Sequence, residues 1–135
     1  MPDTNDPEID QLLFNWEGVY KKGLLTFWLL LLLHEGAAYA YEINDAVQNI
    51  SQGTISADNN SIYRALSRFQ AMGIVTSDLR QSELGPARRY YQLSEKGVTL
   101  LGRFIRRNIL LFETPLVAER IRAVVDGAGI KPEEA

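Results

Sequence analysis

The chain has no cysteine in 135 residues and one histidine, His34. Disulfides, thiolate metal sites and cysteine nucleophiles are excluded, and a single imidazole cannot build a zinc or haem centre. No metal and no cofactor is expected. A Gly-rich phosphate loop is also missing, and paired carboxylates fall only where the pattern predicts exposed or terminal positions. No catalytic residue and no enzyme is expected. His34 lies near a predicted helix C-terminus, where an imidazolium is favoured by the helix dipole.

Long apolar runs are scarce too. The longest, Leu24 to Leu33, is broken only by Thr26, and a membrane-spanning helix needs roughly 20 residues. A helix apolar on all sides is expected at the centre of a domain instead. The start, "MPDTNDPEIDQ", is acidic and polar, the reverse of a signal peptide's basic and then apolar order. A cytoplasmic protein without a membrane partner is the expectation.

Basic residues are rare in the first part of the chain and concentrated in the middle. Residues 1–57 hold 2 basic and 8 acidic side chains, residues 58–110 hold 9 and 4, and residues 111–135 hold 3 and 5, which sum to the formal charge of −3. A local positive patch, rather than the average, is what meets phosphates. With 46% apolar and 23% charged residues the composition is that of a globular protein, and the length suits one domain.

Helical spacing runs through Ile9, Leu12, Leu13, Trp16, Val19 and Tyr20, after an Asp6-Pro7 start signal. The apolar segment follows, from Lys22 to about His34. Another helix is expected from Ala38 to about Ile50, with Tyr41, Ile43, Ala46, Val47 and Ile50 inward. After the polar connector "SQGTISADNN", Asp58 or Ser56 caps a further helix whose apolar face is Ile62, Ala65, Leu66, Phe69 and Met72. Gly73 ends it. "IVTSDLRQ" and "RRYYQL" read as strands joined at a Gly85-Pro86 turn. Ser94 then caps a long helix reaching Phe112, with the stripe Val98, Leu101, Phe104, Ile105, Leu111 and Phe112. Thr114-Pro115 starts a last one carrying Val117, Ile121, Val124 and Val125.

This order predicts a mainly α fold with a small β-hairpin, a winged helix-turn-helix. The expected parts are residues 1–21 (arm and helix), 22–94 (the winged helix), 95–127 (C-terminal helices) and 128–135 (a flexible tail). The N-terminal stripe with Leu12, Leu13 and Trp16 is expected to rest on a second subunit.

A groove-reading helix carries hydrogen-bonding side chains near its start. Asn60, Ser61, Tyr63, Arg64, Ser67 and Arg68 fit that need, with Arg64 and Arg68 sharing a face. The helix N-terminus offers backbone N–H groups to a phosphate. Arg80, Arg88 and Arg89 flank the predicted turn, so guanidinium groups are expected to gather at its tip and seek a narrow minor groove. Asp78 and Glu83 partly offset them. Arg88 and Arg89, being adjacent on a strand, should face opposite sides. Trp16 and Trp28 are expected in the core or at a subunit contact.

The motifs also resemble those of a known family. "GAAYAYEI" is similar to the "G-x-x-Y-G-Y-E-I" segment of PadR-type regulators. "NSIYRALSRFQAMGIV" resembles their "G-T-L-Y-P-A-L-x-R-L-E-x-x-G-L-V", and "LGPARRYYQLSEKG" their wing, "G-G-P-P-R-K-Y-Y-x-L-T-x-x-G". The likeness covers about Gly23 to Leu101. It implies a homodimeric transcriptional regulator, usually a repressor on a palindromic operator of double-stranded DNA. It also implies that Tyr39 and Tyr41 of the second helix approach phosphates, that Ser61, Tyr63 and Arg64 lie on the reading face, and that Gly85, Arg88 and Arg89 belong to the wing. Asn60, Arg64, Ala40 and Leu84 depart from the family pattern, and Arg64 in place of proline implies a different operator. The short C-terminus resembles the small subgroup, which implies N- and C-terminal dimerisation helices flanking the winged helix-turn-helix, with Leu12, Leu13, Trp16, Val117, Ile121 and Val124 as dimer contacts. The compact size with an N-terminal extension resembles, more narrowly, the clock modifier of cyanobacteria.

Two alternatives stand beside this reading. One is a regulator released from DNA by a small planar aromatic effector; the other is a protein-interaction module that uses the same scaffold without DNA.

Overall fold

The computed structural model describes residues 6–130. The helices are α1 (Pro7–Lys21), α2 (Leu24–Glu35), α3 (Ala40–Ile50), α4 (Asn59–Ala71), α5 (Glu95–Asn108) and α6 (Pro115–Gly127). The strands are β1 (Ala38–Tyr39), β2 (Val75–Ser82) and β3 (Gly85–Leu93), and a 3-10 turn spans Leu110–Glu113. Lys21–Gly102 form one compact unit, and the residues up to Tyr20 with those from Arg103 onward form another. The expected tail lies outside the described residues from 131 on; Ala128 to Ile130 instead close α6, where Ile130 N–H donates to the Val125 carbonyl.

The Lys21–Gly102 unit is built on one apolar centre. Leu29, Leu30 and Leu33 of α2 are buried with Ile43 and Val47 of α3, Ile62, Ala65, Leu66 and Phe69 of α4, and Ile74, Val75, Tyr91 and Leu101. The expectation of an α2 buried all round is corrected: Leu24–Trp28, Leu31 and Leu32 are only half-buried. Phe27 packs edge-on against Trp28, ring centroids 5.3 Å apart.

Three inward assignments are also corrected. Tyr41 and Ile50 are exposed on α3, where Ala40 is buried instead, and Met72 is exposed at the end of α4. Met72 is the C-cap residue, so the chain is already turning away from the face that Ile62 and Phe69 share.

The sheet has three antiparallel strands in the order β1-β3-β2, not two. Ala38 and Tyr39, expected to begin a helix, pair with Tyr91 and Tyr90. The hairpin turn falls at Glu83-Leu84, with Gly85 and Pro86 already inside β3. Proline is tolerated there because β1 reaches only Tyr90 and Tyr91, which leaves that stretch of β3 an edge on one side. The long C-terminal helix expected to reach Phe112 stops at Asn108. The Asn108 side chain donates to the Phe104 carbonyl at 3.1 Å and competes with the helical ladder.

α4 is bounded by local chemistry. The Asp58 carboxylate accepts from Ser61 N–H at 2.6 Å, an N-cap bond. At the other end Gly73 has φ +77°, Ile74 N–H donates to the Phe69 carbonyl and Gly73 N–H to that of Gln70. This is a Schellman closure, which needs a left-handed residue that glycine supplies without strain. β2 therefore starts at once and runs back past the last turn of α4.

The base of the hairpin is clasped to this reversal. The Ser94 hydroxyl donates to the Gly73 carbonyl at 2.6 Å and accepts from Gly97 N–H at 3.1 Å. Lys96 Nζ donates to the Met72 carbonyl at 3.0 Å, placing a cation at the α4 C-terminus. A Cβ on Gly97 would stand 2.1 Å from the Ile74 carbonyl oxygen. Only a residue without a side chain lets α5 approach so closely.

Gly97→Ala is expected to lower unfolding free energy by about 1–3 kcal/mol, the range for overpacking against a backbone that cannot yield; urea unfolding measures it. The N–H of Ser61 and then its hydroxyl hold the Asp58 carboxyl below its ordinary value, with the Arg64 charge assisting. Because the folded value is the lower one, this contribution is present above the unfolded carboxyl's range, near pH 4, and fades as pH falls through the folded value. The Asp58→Asn variant keeps a cap that does not titrate, so its thermal midpoint is expected to fall less than the wild type's between neutral and strongly acid buffer.

Candidate nucleic-acid interface

α3 and α4 form the helix-turn-helix pair, and a side-chain bond fixes them together. Asn44 Nδ2 donates to Asn59 Oδ1 at 2.9 Å, joining the middle of α3 to the first residue of α4. With Ile62, Ala65, Leu66 and Phe69 buried, the outward face of α4 presents Asn60, Tyr63, Arg64, Ser67 and Arg68, all exposed. Ser61 is half-buried and committed locally: it binds Asp58 and its hydroxyl accepts from Arg64 Nη2 at 3.3 Å. The expectation that the α4 N-terminus is open to a phosphate is corrected at Ser61, whose N–H the Asp58 carboxylate already holds.

Strand register sorts the wing arginines. Arg80 lies opposite Arg88, and Leu79 opposite Arg89. Alternation then puts Arg80 and Arg88 on the face of Tyr39 and Tyr90, and Arg89 on the face of Ser77, Leu79 and Tyr91. Arg88 stacks over the Tyr39 ring and Arg80 over the Tyr90 ring, each 4.5 Å from the centroid, within the range of a cation–π contact. The two rings meet edge-on at 5.5 Å. Like charges placed directly across strands repel; here each lies on an aromatic face, and Asp78 pairs with Arg80 at 3.2 Å.

Glu83 and Leu84 make the turn, and Leu84 is 99% exposed. Of the three arginines expected at the tip, Arg80 and Arg88 line a hollow with these turn residues. Arg89 does not, which is a correction; it donates to Ser77 further back along β2. Gly85 is exposed at the start of β3.

One groove of about 580 Å³ unites β1, α3, α4 and the wing: it is lined by Tyr39, Tyr41, Tyr63, Leu79, Ala87, Arg88 and Arg89. Tyr39 comes from β1, Tyr41 from the start of α3, Tyr63 from α4, and the rest from the wing. The Tyr91 phenol is pushed up chiefly by burial, with Tyr63 adding and Arg89 opposing. Arg64, Arg68, Asn60 and Ser67 lie on α4 but outside the groove's lining, as does Arg80. Sequence reasoning missed Leu79, Ala87, Asn44, Ser77 and Gln70; the strand register, once fixed, would have singled out Leu79 and Ser77 as sharing a face with Arg89.

Among the described residues no group of three His, Cys, Asp or Glu side chains could hold a metal ion, and no helix is long and apolar enough to cross a membrane.

Solved structures share this fold. A PadR-like transcription factor from Bacteroides fragilis is 30% identical, with 74% of this chain and 94% of that one covered, at a TM-score of 0.59. Bacillus subtilis PadR in complex with operator DNA is 22% identical, covering 61% of this chain and 46% of that one, at 0.56. A PadR family regulator from Eggerthella lenta, 19% identical, covers 92% of this chain and 95% of that one, at 0.61. No curated protein matches. The model of the transcriptional regulator PadR-like family matches residues 29–103, from the buried half of α2 into α5. The chain belongs to the PadR-like family of transcriptional regulators, which are DNA-binding proteins and not enzymes.

Proposed function

We propose that the chain is a homodimeric repressor that binds a palindromic operator through α4 and the wing, in the cytoplasm. The observation that carries this reading is the groove in which Tyr39, Tyr41, Tyr63, Arg88 and Arg89 converge from β1, α3, α4 and β3. Tyrosine hydroxyls and guanidinium groups are phosphate donors, and the exposed face of α4 continues from that groove with Asn60, Arg64, Ser67 and Arg68. Arg64 and Arg68 read base edges in the major groove, Asn60 and Ser67 support them, and Arg80, Arg88, Arg89 and the Gly85 backbone follow the sugar-phosphate chain. The operator-bound Bacillus subtilis relative supports the same use of this scaffold.

Pairing is supported by what the terminal helices leave open. α1 and α6 have no buried residue. Leu12, Leu13 and Trp16 are exposed, as are Ile121 and Val124, with Val117 half-buried. Single exposed leucines are ordinary, but stripes on two helices point to an interface. In this reading residues 1–21 and 95–127 pair the copies and residues 22–94 bind DNA, with recognition helices roughly 34 Å apart on a simple palindrome.

The small hollow on α1 between Leu13, Trp16, Glu17 and Tyr20 is about 220 Å³. Ligand pockets run to roughly 300–1,000 Å³, so a partner's side chain suits it better than a planar effector.

Sites selected from a random duplex pool test the DNA reading. Arg64→Ala is expected to reduce discrimination between selected and scrambled sites by about 1–3 kcal/mol, whereas Arg89→Ala weakens both alike and lowers the salt slope by about 1. If neither substitution alters binding, or no duplex binds at low salt, the reading fails. Trp16→Glu is expected to shift the sedimentation of the protein from dimer to monomer; an unchanged mass would remove α1 from the interface.

A further inference from the structure

We propose that Ser77 and Gln70 are positioning residues that aim Arg89 at a DNA phosphate, tethering the wing's guanidinium to the recognition helix. The inference rests on the DNA-binding reading above. It starts from a short relay: Arg89 Nη1 donates to Ser77 Oγ at 3.1 Å, and the Ser77 hydroxyl donates to Gln70 Oε1 at 2.9 Å. The donors all point one way, from an ionised group through a hydroxyl to an amide oxygen. Each bond in such a chain polarises the next, and the bond from the charged end is the stronger kind.

The fold makes this contact possible. The reversal at Gly73 sends β2 back along the last turn of α4, which brings Ser77 beside Gln70. Ser77 pairs with Tyr91, so Arg89 is its diagonal neighbour on the same face, within reach of a long side chain. One of the five guanidinium N–H groups is used by the relay. The others are left for the groove that Arg89 lines with Tyr63.

Chemistry separates this arginine from the one across the hairpin. Arg80 is held by a carboxylate, that of Asp78, which fixes it and cancels its charge together. Arg89 is held by neutral groups instead: a hydroxyl, and behind it an amide. Position 70 is glutamate in the family pattern that this segment resembles, and here it is glutamine. The tether therefore orders Arg89 while leaving its full charge for a phosphate. An arginine already ordered loses less rotamer freedom on binding than a free one.

The test uses a short random-sequence duplex, because a phosphate contact acts on all sequences, and measures affinity over a salt series. Ser77→Ala is expected to weaken binding roughly three- to tenfold, the scale of ordering one long side chain, with the salt slope unchanged because the charge stays. Arg89→Ala lowers the slope by about 1. Ser77→Thr, which keeps the hydroxyl, restores wild-type affinity. The Ser77→Ala/Arg89→Ala pair binds no more weakly than Arg89→Ala alone. Gln70→Ala, exposed on a helix and compatible with it, gives the same loss as Ser77→Ala and keeps the test open should that strand variant unfold.

A Ser77→Ala loss that persists in full without Arg89, or an equal loss in Ser77→Thr, overturns the relay while the DNA reading stands. A normal affinity for Ser77→Ala and Gln70→Ala beside a weakened Arg89→Ala does the same. An Arg89→Ala variant that binds the duplex like the wild type overturns both the relay and Arg89's place in the interface.

Discussion

The carbonyl oxygen of Ile74 occupies the space where any side chain at position 97 would begin, and the placement of the hairpin against α4 follows from that contact. It lets the first turn of α5 sit against the end of α4, so Ser94 can hold Gly73 and the start of its own helix with one hydroxyl. Hairpin entry and hairpin exit are thereby fixed at one point. Since strand pairing alternates faces with a period of two, fixing the base settles the direction of the wing side chains out to Arg80 and Arg88, beyond which the register shifts. A slip of one residue there would exchange the environments of Arg88 and Arg89.

Positive charge on this surface is ordered more by neutral groups than by carboxylates. Arg88 lies on a tyrosine ring, Arg89 on a serine hydroxyl, and Arg64 contacts the hydroxyl of Ser61 within its own helix. Of the wing arginines, Arg80 has the ion pair. Such an arrangement suits a molecule whose total charge is negative, because attraction to phosphate depends on what remains unneutralised locally. The same logic explains why the acidic N-terminal segment does not contradict the family assignment.

What was legible in the sequence was whatever local chemistry decides. α4 could be read from Asp58 at one end and Gly73 at the other, and its buried face from the spacing of Ile62, Ala65, Leu66 and Phe69. The opposite facing of Arg88 and Arg89 followed from strand geometry alone. Features made by distant pairing were not legible. Two residues, Ala38 and Tyr39, become a strand only because Tyr90 and Tyr91 arrive beside them, and no propensity in "AAYAY" announces it. The turn was misplaced because Gly85-Pro86 is a strong local signal, overruled by a register set at the hairpin's base. For the candidate site, the residue types were visible, but not which would share a groove. Tyr63 joins Arg88 and Arg89 there, whereas Arg64 and Arg68, its near neighbours in the chain, do not.

Gln70 has one further consequence. An amide and a carboxylate have nearly the same shape, so glutamine and glutamate can fill this place without disturbing the strand behind it. They differ in whether the neighbouring cation is left bare. A lineage could thus adjust how tightly such a regulator grips its chromosome by a single exchange in the last turn of α4. Which genes it visits, governed by residues nearer the start of that helix, would remain as they were.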